Sequence, residues 1–442
     1  MSRYATEEVI YALATPWGKS ALAVIRISGR GSHALLAPHF SRPDALLTAE
    51  NATLVHGYLS DEQGERIDEV VLALFRAGHG YTAEESIEIS CHGSTAVIQS
   101  ILSLLGRIGM RSAEPGEFTF RAFAHGRMDL TQAEAVEELI SSVSQRSRSL
   151  SLSRLGGALR EQIEHYKQAL LAVVASVEVQ LDYAEDEVDD FAFPLAELKA
   201  IIAALTPLIE SYQVGRLYKS GARVVLAGAT NVGKSSLFNL LVKEERSIVS
   251  PYRGTTRDYI EADLEVGGIP IRLYDTAGLR ESEDLIEREG IVRTERLIGD
   301  ADLVVHLVDV TDIDRVPEAD ERTIVVYNKS DLGSSPEGTL AISAQSGAGV
   351  TALLDAIEAR LKAKLPDSGE EELVIESERQ QQLLTSAQDA LLRAQELVEA
   401  NIALDVVAVE LAEALDMLGE LTGEIKHDAI LEEIFGTFCV GK

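Results

Sequence analysis

Gly228-Ala229-Thr230-Asn231-Val232-Gly233-Lys234-Ser235 reads G-x-x-x-x-G-K-S, the pattern of a phosphate-binding loop. It follows Arg223-Val224-Val225-Leu226-Ala227, an apolar run of strand character, and opens a stretch of helical spacing over residues 235–242. Glycines at these positions let main-chain N–H groups wrap a phosphate, helped by the positive end of the helix dipole. Lys234 would neutralise the β and γ phosphates, and Ser235 would offer its hydroxyl to Mg²⁺. Strands and helices alternate around this loop over residues 217–364. Residues 260–266 and 269–274 read as a hairpin turned by Gly267-Gly268, and buried-type strands cover 303–310, 323–327 and 340–343. Such alternation predicts a mainly parallel sheet covered on both faces.

Two later motifs turn a nucleotide site into a guanine site. Asp275-Thr276-Ala277-Gly278 closes an apolar strand, where the carboxylate reaches the Mg²⁺ shell and the Gly278 N–H the γ-phosphate. Asn328-Lys329-Ser330-Asp331 closes a further strand. A carboxylate at Asp331 only accepts hydrogen bonds, which suits the N1–H and 2-amino donors of guanine and mismatches adenine. Ser343-Ala344-Gln345 follows the last strand and would complete the base pocket. Between loop and Asp275, the stretch Ser250-Pro251-Tyr252-Arg253-Gly254-Thr255-Thr256 holds Thr256, the expected second Mg²⁺ hydroxyl. With Asn231, Val232, Gly233, Lys234, Ser235 and Ser236, these segments make up the expected GTP site. Hydrolysis also needs a group that positions water. Leu279 stands where Ras-like proteins place glutamine, and Glu281, Glu283, Asp284, Glu287 and Glu289 all follow it; spacing does not choose among them.

Outside this module the texture changes twice. Residues 1–120 mix short β-branched runs with turns: 22–27 and 69–75 read as strands, 86–90 alternates polar and apolar, and 93–108 has helical spacing. Residues 121–216 and 365–442 are rich in Leu, Ala, Glu and Gln with apolar positions every three or four residues, as in long amphipathic helices. Each helical stretch is short for a core of its own, so the pair predicts one helical domain interrupted by an insertion. The expected architecture is multidomain: an α+β module, an all-α domain in two pieces, and an inserted α/β Ras-like P-loop module.

The chain has 442 residues, with 72 acidic against 40 basic side chains and a net charge of −32. A surface this acidic excludes nucleic-acid binding by general counterion release and confines any such contact to a local patch or a partner. Two cysteines, Cys91 and Cys439, exclude a disulfide framework and a cysteine-based zinc site, as expected of a cytoplasmic protein. No apolar run approaches the ~18 residues of a membrane helix, so no membrane partner is expected.

The motifs Ile25-Arg26-Ile27-Ser28-Gly29, Tyr81-Thr82-Ala83-Glu84-Glu85, Pro115-Gly116-Glu117-Phe118-Thr119 and Asp129-Leu130-Thr131-Gln132-Ala133-Glu134-Ala135, with the terminal Cys439-Val440-Gly441-Lys442, span all three textures. Together with the G motifs they resemble the tRNA modification GTPases of the MnmE or TrmE family over essentially the whole chain. The resemblance implies a K⁺-dependent GTPase, with K⁺ held by Asn231 and by main-chain groups of Ser250, Tyr252 and Thr255. It also implies that Glu287, twelve residues after Asp275, orients the attacking water. In the N-terminal module it implies a homodimer and a site for 5,10-methylene- or formyl-tetrahydrofolate, at Arg26, Glu84, Arg127 and Lys442. Arg127 stands where the family pattern often has lysine, which keeps the charge and changes the fork geometry. A FAD-bearing partner of the MnmG type and tRNA complete the implied system, whose product carries a carboxymethylaminomethyl or aminomethyl group on carbon 5 of the wobble uridine. The G motifs alone fit a regulatory switch of the Era kind equally well; the N-terminal module and the Cys-Val-Gly-Lys tail argue against it.

Overall fold

The computed structural model describes residues 4, 7–142, 144–182, 192–244, 260–276, 296–313, 316, 320–363, 373–425 and 428–441. They divide into two compact units. One comprises Met1–Glu137, Arg154–Lys167 and Leu415–Lys442; the other comprises Glu138–Ser153 and Gln168–Ala414.

The first unit is built on a six-stranded sheet of β1 (Ile10–Leu13), β2 (Leu22–Ser28), β3 (Thr53–Ser60), β4 (Arg66–Phe75), β5 (Ser86–His92) and β6 (Arg111–Ser112), in the order β3-β4-β5-β2-β1-β6. Period-two alternation sends Ile25, Ile27, Leu72, Leu74, Ile87 and Ile89 to one face, where they pack on Ile98, Ile101 and Leu105 of the helix Thr95–Arg107. Each such fully buried side chain contributes about 1.5–3 kcal/mol. The same alternation puts Arg26 and Glu88 on the opposite face, and the antiparallel β2–β5 register sets them directly across from each other. The expected strands at 22–27 and 69–75 are present, the second beginning earlier, at Arg66, where it pairs with Ser60 of β3.

Two close approaches bring the C-terminal segment onto this unit. Gly116, at φ +70°, precedes the helix Glu117–Ala124, and a Cβ there would overlap the Phe435 carbonyl oxygen. Phe435 lies at the centre of a cluster with Tyr4, Phe123, Leu130 and Phe438. Gly441, at φ +96°, sits so close to β1 that a Cβ would come within 2.6 Å of the Leu13 carbonyl.

The second unit carries the strand–helix module. Its sheet orders β12 (Leu340–Ala341), β11 (Thr323–Asn328), β10 (Leu303–Asp309), β7 (Ala222–Gly228), β9 (Ile269–Asp275) and β8 (Ile260–Val266). All neighbours are parallel except the hairpin β8–β9, whose Gly267 and Gly268 both have positive φ, as a two-residue type I′ turn requires. Both faces are covered, which explains the unbroken apolar runs. Val224, Leu226, Val305 and Leu307 face Leu237, Leu353 and Ile357, while Val225, Ala227 and Val304 pack on the other side with Tyr274. The strand expected at 340–343 ends at Ala341, because the Ser343 N–H turns to the Ala348 carbonyl at 2.9 Å and closes a turn instead. The long helix Leu195–Ser220 runs into β7 and is held by chain from beyond the module. Gln388 donates to Thr206 Oγ1 at 2.8 Å, and the Ile375 N–H to Ser211 Oγ at 3.2 Å.

Candidate functional site

The phosphate loop connects β7 to the helix Lys234–Glu244, the strand–loop–helix context its pattern requires. Gly228 has φ +133°, and a Cβ there would overlap the Leu307 carbonyl of the neighbouring strand. Asn231 takes the left-handed region at φ +62°, a conformation asparagine tolerates better than most side chains, and is exposed at the loop crest. Lys234 is 7% exposed and its Nζ donates to the carbonyls of Gly228 at 3.0 Å and Ala229 at 2.8 Å, so its charge lies over the loop's own backbone. Ser235 and Ser236 are exposed on the first turn. Burial, with the nearby charge of Lys234, pushes the His306 imidazole of β10 below its ordinary range and keeps that wall of the loop neutral.

The expected guanine motif meets this loop directly. Asn328, 2% exposed, donates from Nδ2 to the Val232 carbonyl at 2.7 Å and accepts at Oδ1 from the Ala344 N–H at 3.0 Å. One side chain thus ties phosphate loop, guanine tetrad and the Ser343-Ala344-Gln345 turn together. Gly233, at φ +101°, must lack a Cβ because Asn328 Nδ2 fills that space. Lys329, also at positive φ, pairs with Asp309 at 2.5 Å. Burial alone would raise the Asp309 carboxyl, yet hydrogen bonds from Lys329 and Thr311 outweigh it and hold the group below its ordinary value. The Ser330 N–H donates to the Ile342 carbonyl at 3.0 Å, which fixes the turn that presents the exposed Asp331. Ser343 is buried and its Oγ accepts from the Ser346 N–H at 3.3 Å; Gln345 is exposed.

Asp275 ends β9, buried, and Thr276 Oγ1 donates to the Leu226 carbonyl of β7 at 2.8 Å. A buried carboxylate at a strand end and the hydroxyl of Ser235 are hard oxygen donors, the set Mg²⁺ prefers. Ser250, Pro251, Tyr252, Arg253, Gly254, Thr255, Thr256, Ala277, Gly278, Glu287 and Lys442 lie outside the described residues.

In the first unit a cavity of about 400 Å³ is lined by Arg26, Phe75, Gly80, Tyr81, Thr82, Ser86, Glu88 and Arg127. Two of the four residues expected to hold a folate, Arg26 and Arg127, therefore share one wall system. Arg26 donates from Nε and Nη2 to Glu88 Oε1 at 3.0 and 2.8 Å and from Nη1 to the Gly441 carbonyl at 3.4 Å. Its guanidinium lies 4.8 Å from the Tyr81 ring centroid. Burial raises the Tyr81 phenol, against the pull of Thr119 and Arg26, so it stays protonated and uncharged. Glu84 is engaged elsewhere. It accepts from Ser28 Oγ at 2.7 Å and from Nη1 of the fully buried Arg121 at 3.1 Å. Arg121 in turn reaches the buried Glu117, which Arg111 holds from the other side.

Sequence reasoning missed Glu88 and Arg121. Glu88 was legible in part, since the alternation over 86–90 puts it on the face opposite Ile87 and Ile89. Arg121 lies two residues past the Pro115–Thr119 motif, and nothing in residue type or spacing marks it as buried. Cys91 is buried, and burial pushes its thiol up to about 11, which leaves it inert; Cys439 is exposed.

A phosphate loop tied to an N-K-x-D tetrad on a doubly covered, mainly parallel sheet defines a P-loop GTPase. Residues 9–127 match the family GTP-binding protein TrmE N-terminus, and residues 130–439 match the MnmE helical domain. The tRNA modification GTPase MnmE of Borrelia recurrentis is 40% identical over 466 residues, covering 100% of both chains. Those of Treponema denticola and Aquifex aeolicus are each 38% identical, over 100% and 98% of this chain and the whole of each relative. The chain belongs to the MnmE family of tRNA modification GTPases.

Proposed function

We propose that this GTPase acts at the wobble uridine of tRNA, together with a FAD-bearing partner of the MnmG type, to add a carboxymethylaminomethyl or aminomethyl group at carbon 5. A 5,10-methylene- or formyl-tetrahydrofolate held in the N-terminal cavity would supply the one-carbon unit. The observation that carries this reading is the cavity itself. Its two arginines and one carboxylate answer the two chemistries of a folate, an acidic tail and a donor-bearing ring edge, and its phenyl and phenol rings offer a flat apolar wall. The C-terminal tail, close enough for Gly441 to accept from Arg26, supports a contribution from Lys442.

In the G module, Lys234 binds the β and γ phosphates, Ser235, Thr256 and Asp275 hold Mg²⁺, and Asp331 reads guanine. Glu287 orients the attacking water. Bound K⁺ would supply the positive charge that an arginine finger supplies elsewhere, and the exposed Asn231 carboxamide at the loop crest is a suitable neutral oxygen donor for it. Homodimerisation through residues 1–120, a helical domain formed of 121–216 and 365–442, an inserted G domain at 217–364 and a cytoplasmic location belong to the same reading. No helix among the described residues is long and apolar enough to cross a membrane.

Mass analysis of tRNA nucleosides from cells lacking the chain tests the modification: an unaltered wobble-uridine profile would refute it. GTP turnover in K⁺ against Na⁺ tests the ion, with a marked slowing in Na⁺ expected. Glu287→Ala should bind GTP and not turn it over.

A further inference from the structure

We propose that Asp309 is a positioning residue for the nucleotide: it pins Lys329 across the end of β10 and so presents that side chain to the nucleoside. This deepens the G-module reading above and names a residue outside its motifs. The parallel order β11-β10-β7 places the guanine tetrad after β11 and the phosphate loop after β7, with the end of β10 between them. Two strand spacings separate tetrad and loop, about 10 Å. A nucleotide held by the loop and read at Asp331 lays its nucleoside over that end of β10, at the carboxyl edge where open sheets bind ligands. Lys329 crosses the same ground. Its main chain follows β11, and its Nζ reaches Oδ2 of Asp309, the last residue of β10, at 2.5 Å.

The carboxylate is itself held for this task. Its Oδ1 accepts from the Thr311 N–H at 2.9 Å and from the Thr311 hydroxyl at 2.7 Å, which leaves Oδ2 to the ammonium. The main chain is fixed as well. The Asp312 N–H donates to the Asp309 carbonyl at 3.0 Å, and the Val310 N–H to the Asn328 carbonyl at 3.1 Å. Lys329 stands at φ +66°, a conformation that a lysine keeps where its surroundings over-determine it. Turn, ion pair and backbone together give one course to a side chain that would otherwise sample many rotamers. With its charge matched by Asp309, Lys329 offers the nucleoside its apolar stem. The ordering is complete before the nucleotide arrives, and such preorganisation raises affinity.

The test is equilibrium binding of GDP and of pyrophosphate to the full chain, each read by competition with a fluorescent guanine nucleotide. Asp309→Asn keeps an oxygen acceptor for Thr311 and turns an NH₂ toward the ammonium, so it releases Lys329 without dismantling the turn. The variant should bind GDP about five- to tenfold less tightly, the effect of having to order one long side chain on binding. Pyrophosphate has no nucleoside and should bind the variant at least as well as the native chain, whereas damage to the module would weaken both ligands. Lys329→Met removes the ammonium and keeps an unbranched stem. In that background Asp309→Asn should change GDP affinity by less than about twofold, because Asp309 acts through the ammonium. Three results would each overturn the assignment: GDP binding by Asp309→Asn within about twofold of native, a parallel loss of pyrophosphate, or an undiminished loss in the Lys329→Met background. Failure of the native chain to bind GDP would instead remove the nucleotide reading itself.

Discussion

Asn328 and Val232, 96 residues apart in sequence, are joined by a buried 2.7 Å hydrogen bond from the amide Nδ2 to the main-chain carbonyl. The other end of the same amide accepts from the Ala344 N–H. The segment expected to read the base is therefore tied to the loop expected to hold the phosphates. Asn328→Ala leaves a carbonyl and an N–H without partners, at about 1–3 kcal/mol each. It should destabilise the G module by about 2 kcal/mol or more and weaken GTP and GDP alike at least tenfold. Chemical denaturation and titration with a fluorescent guanine nucleotide measure the two effects. Gly233→Ala should fail more completely, since the added Cβ occupies the space of Asn328 Nδ2 at a φ that alanine resists.

Arg121 lies fully buried between Glu84 and Glu117. Removing one partner of a buried ionic cluster leaves a desolvated charge and costs about 3–5 kcal/mol. Glu117 keeps Arg111, so the stranded charge in Arg121→Met is mainly Glu84. That variant should lose several kcal/mol in thermal or denaturant unfolding of the N-terminal module. The double variant Arg121→Met with Glu84→Gln should regain a measurable part of the loss, since it removes the charge as well as its partner. An additive double variant would show that the cluster is not energetically coupled.

Much of this was readable beforehand for a physical reason. The G module declares itself through motifs whose residues contact ligand atoms by main chain or by one fixed group, so spacing alone carries the chemistry. Asn328 shows the limit. The tetrad is legible in the sequence, but its bond to the Val232 carbonyl depends on parallel β11–β10–β7 packing that no local pattern encodes. Among the expected folate residues, Arg26 and Arg127 do line the cavity, and Glu84 is bound up in the buried cluster. The distinction between Glu84 and Glu88, four residues apart on adjoining turn and strand, depends on which one meets Arg121 in three dimensions. Likewise, the strand Thr53–Ser60 has no clear sequence signal because Gly57 and His56 interrupt its apolar pattern, yet Gly57 is what admits the Phe40 ring against it.

Acid should loosen the N-terminal module through His33. This imidazole is buried, its Nε2 lies 3.1 Å from the Ser86 carbonyl, and its Nδ1 accepts from Arg76 Nη1 at 2.9 Å with Glu85 alongside at 3.0 Å. Burial lowers its pKa and Arg76 adds to the lowering; the Ser86 carbonyl and Glu85 oppose this and do not prevail. The folded state therefore binds this proton less readily than the unfolded state. Stability from the neutral ring is fully present above the unfolded value of about 6.5 and declines as pH falls below it. His33→Gln should be less stable than the native chain at pH 7.5, and its stability should fall less steeply between pH 6.5 and 5. Urea unfolding followed at both ends of that window measures the difference in slope; parallel slopes would remove His33 as the titrating group.

Asp331 offers the sharpest test of base selection. The Ser330 N–H to Ile342 and the Leu332 N–H to the Lys329 carbonyl at 2.8 Å fix the turn, leaving the Asp331 side chain exposed beside it. A carboxylate presents two acceptors to the N1–H and 2-amino donors of guanine. In Asp331→Asn one of these becomes an NH₂ donor, which opposes the 2-amino group but suits the 2-oxo group of xanthine. Each mismatched donor costs kilocalories in a desolvated pocket, so guanine binding should fall by about 10²-fold or more. Xanthine nucleotide binding should rise in the same variant, and its folding stability should hardly change because the side chain is exposed. Competition between GDP and xanthosine diphosphate on native and variant chains reads the exchange directly. Loss of both nucleotides together would mean that Asp331 supports the turn rather than the base.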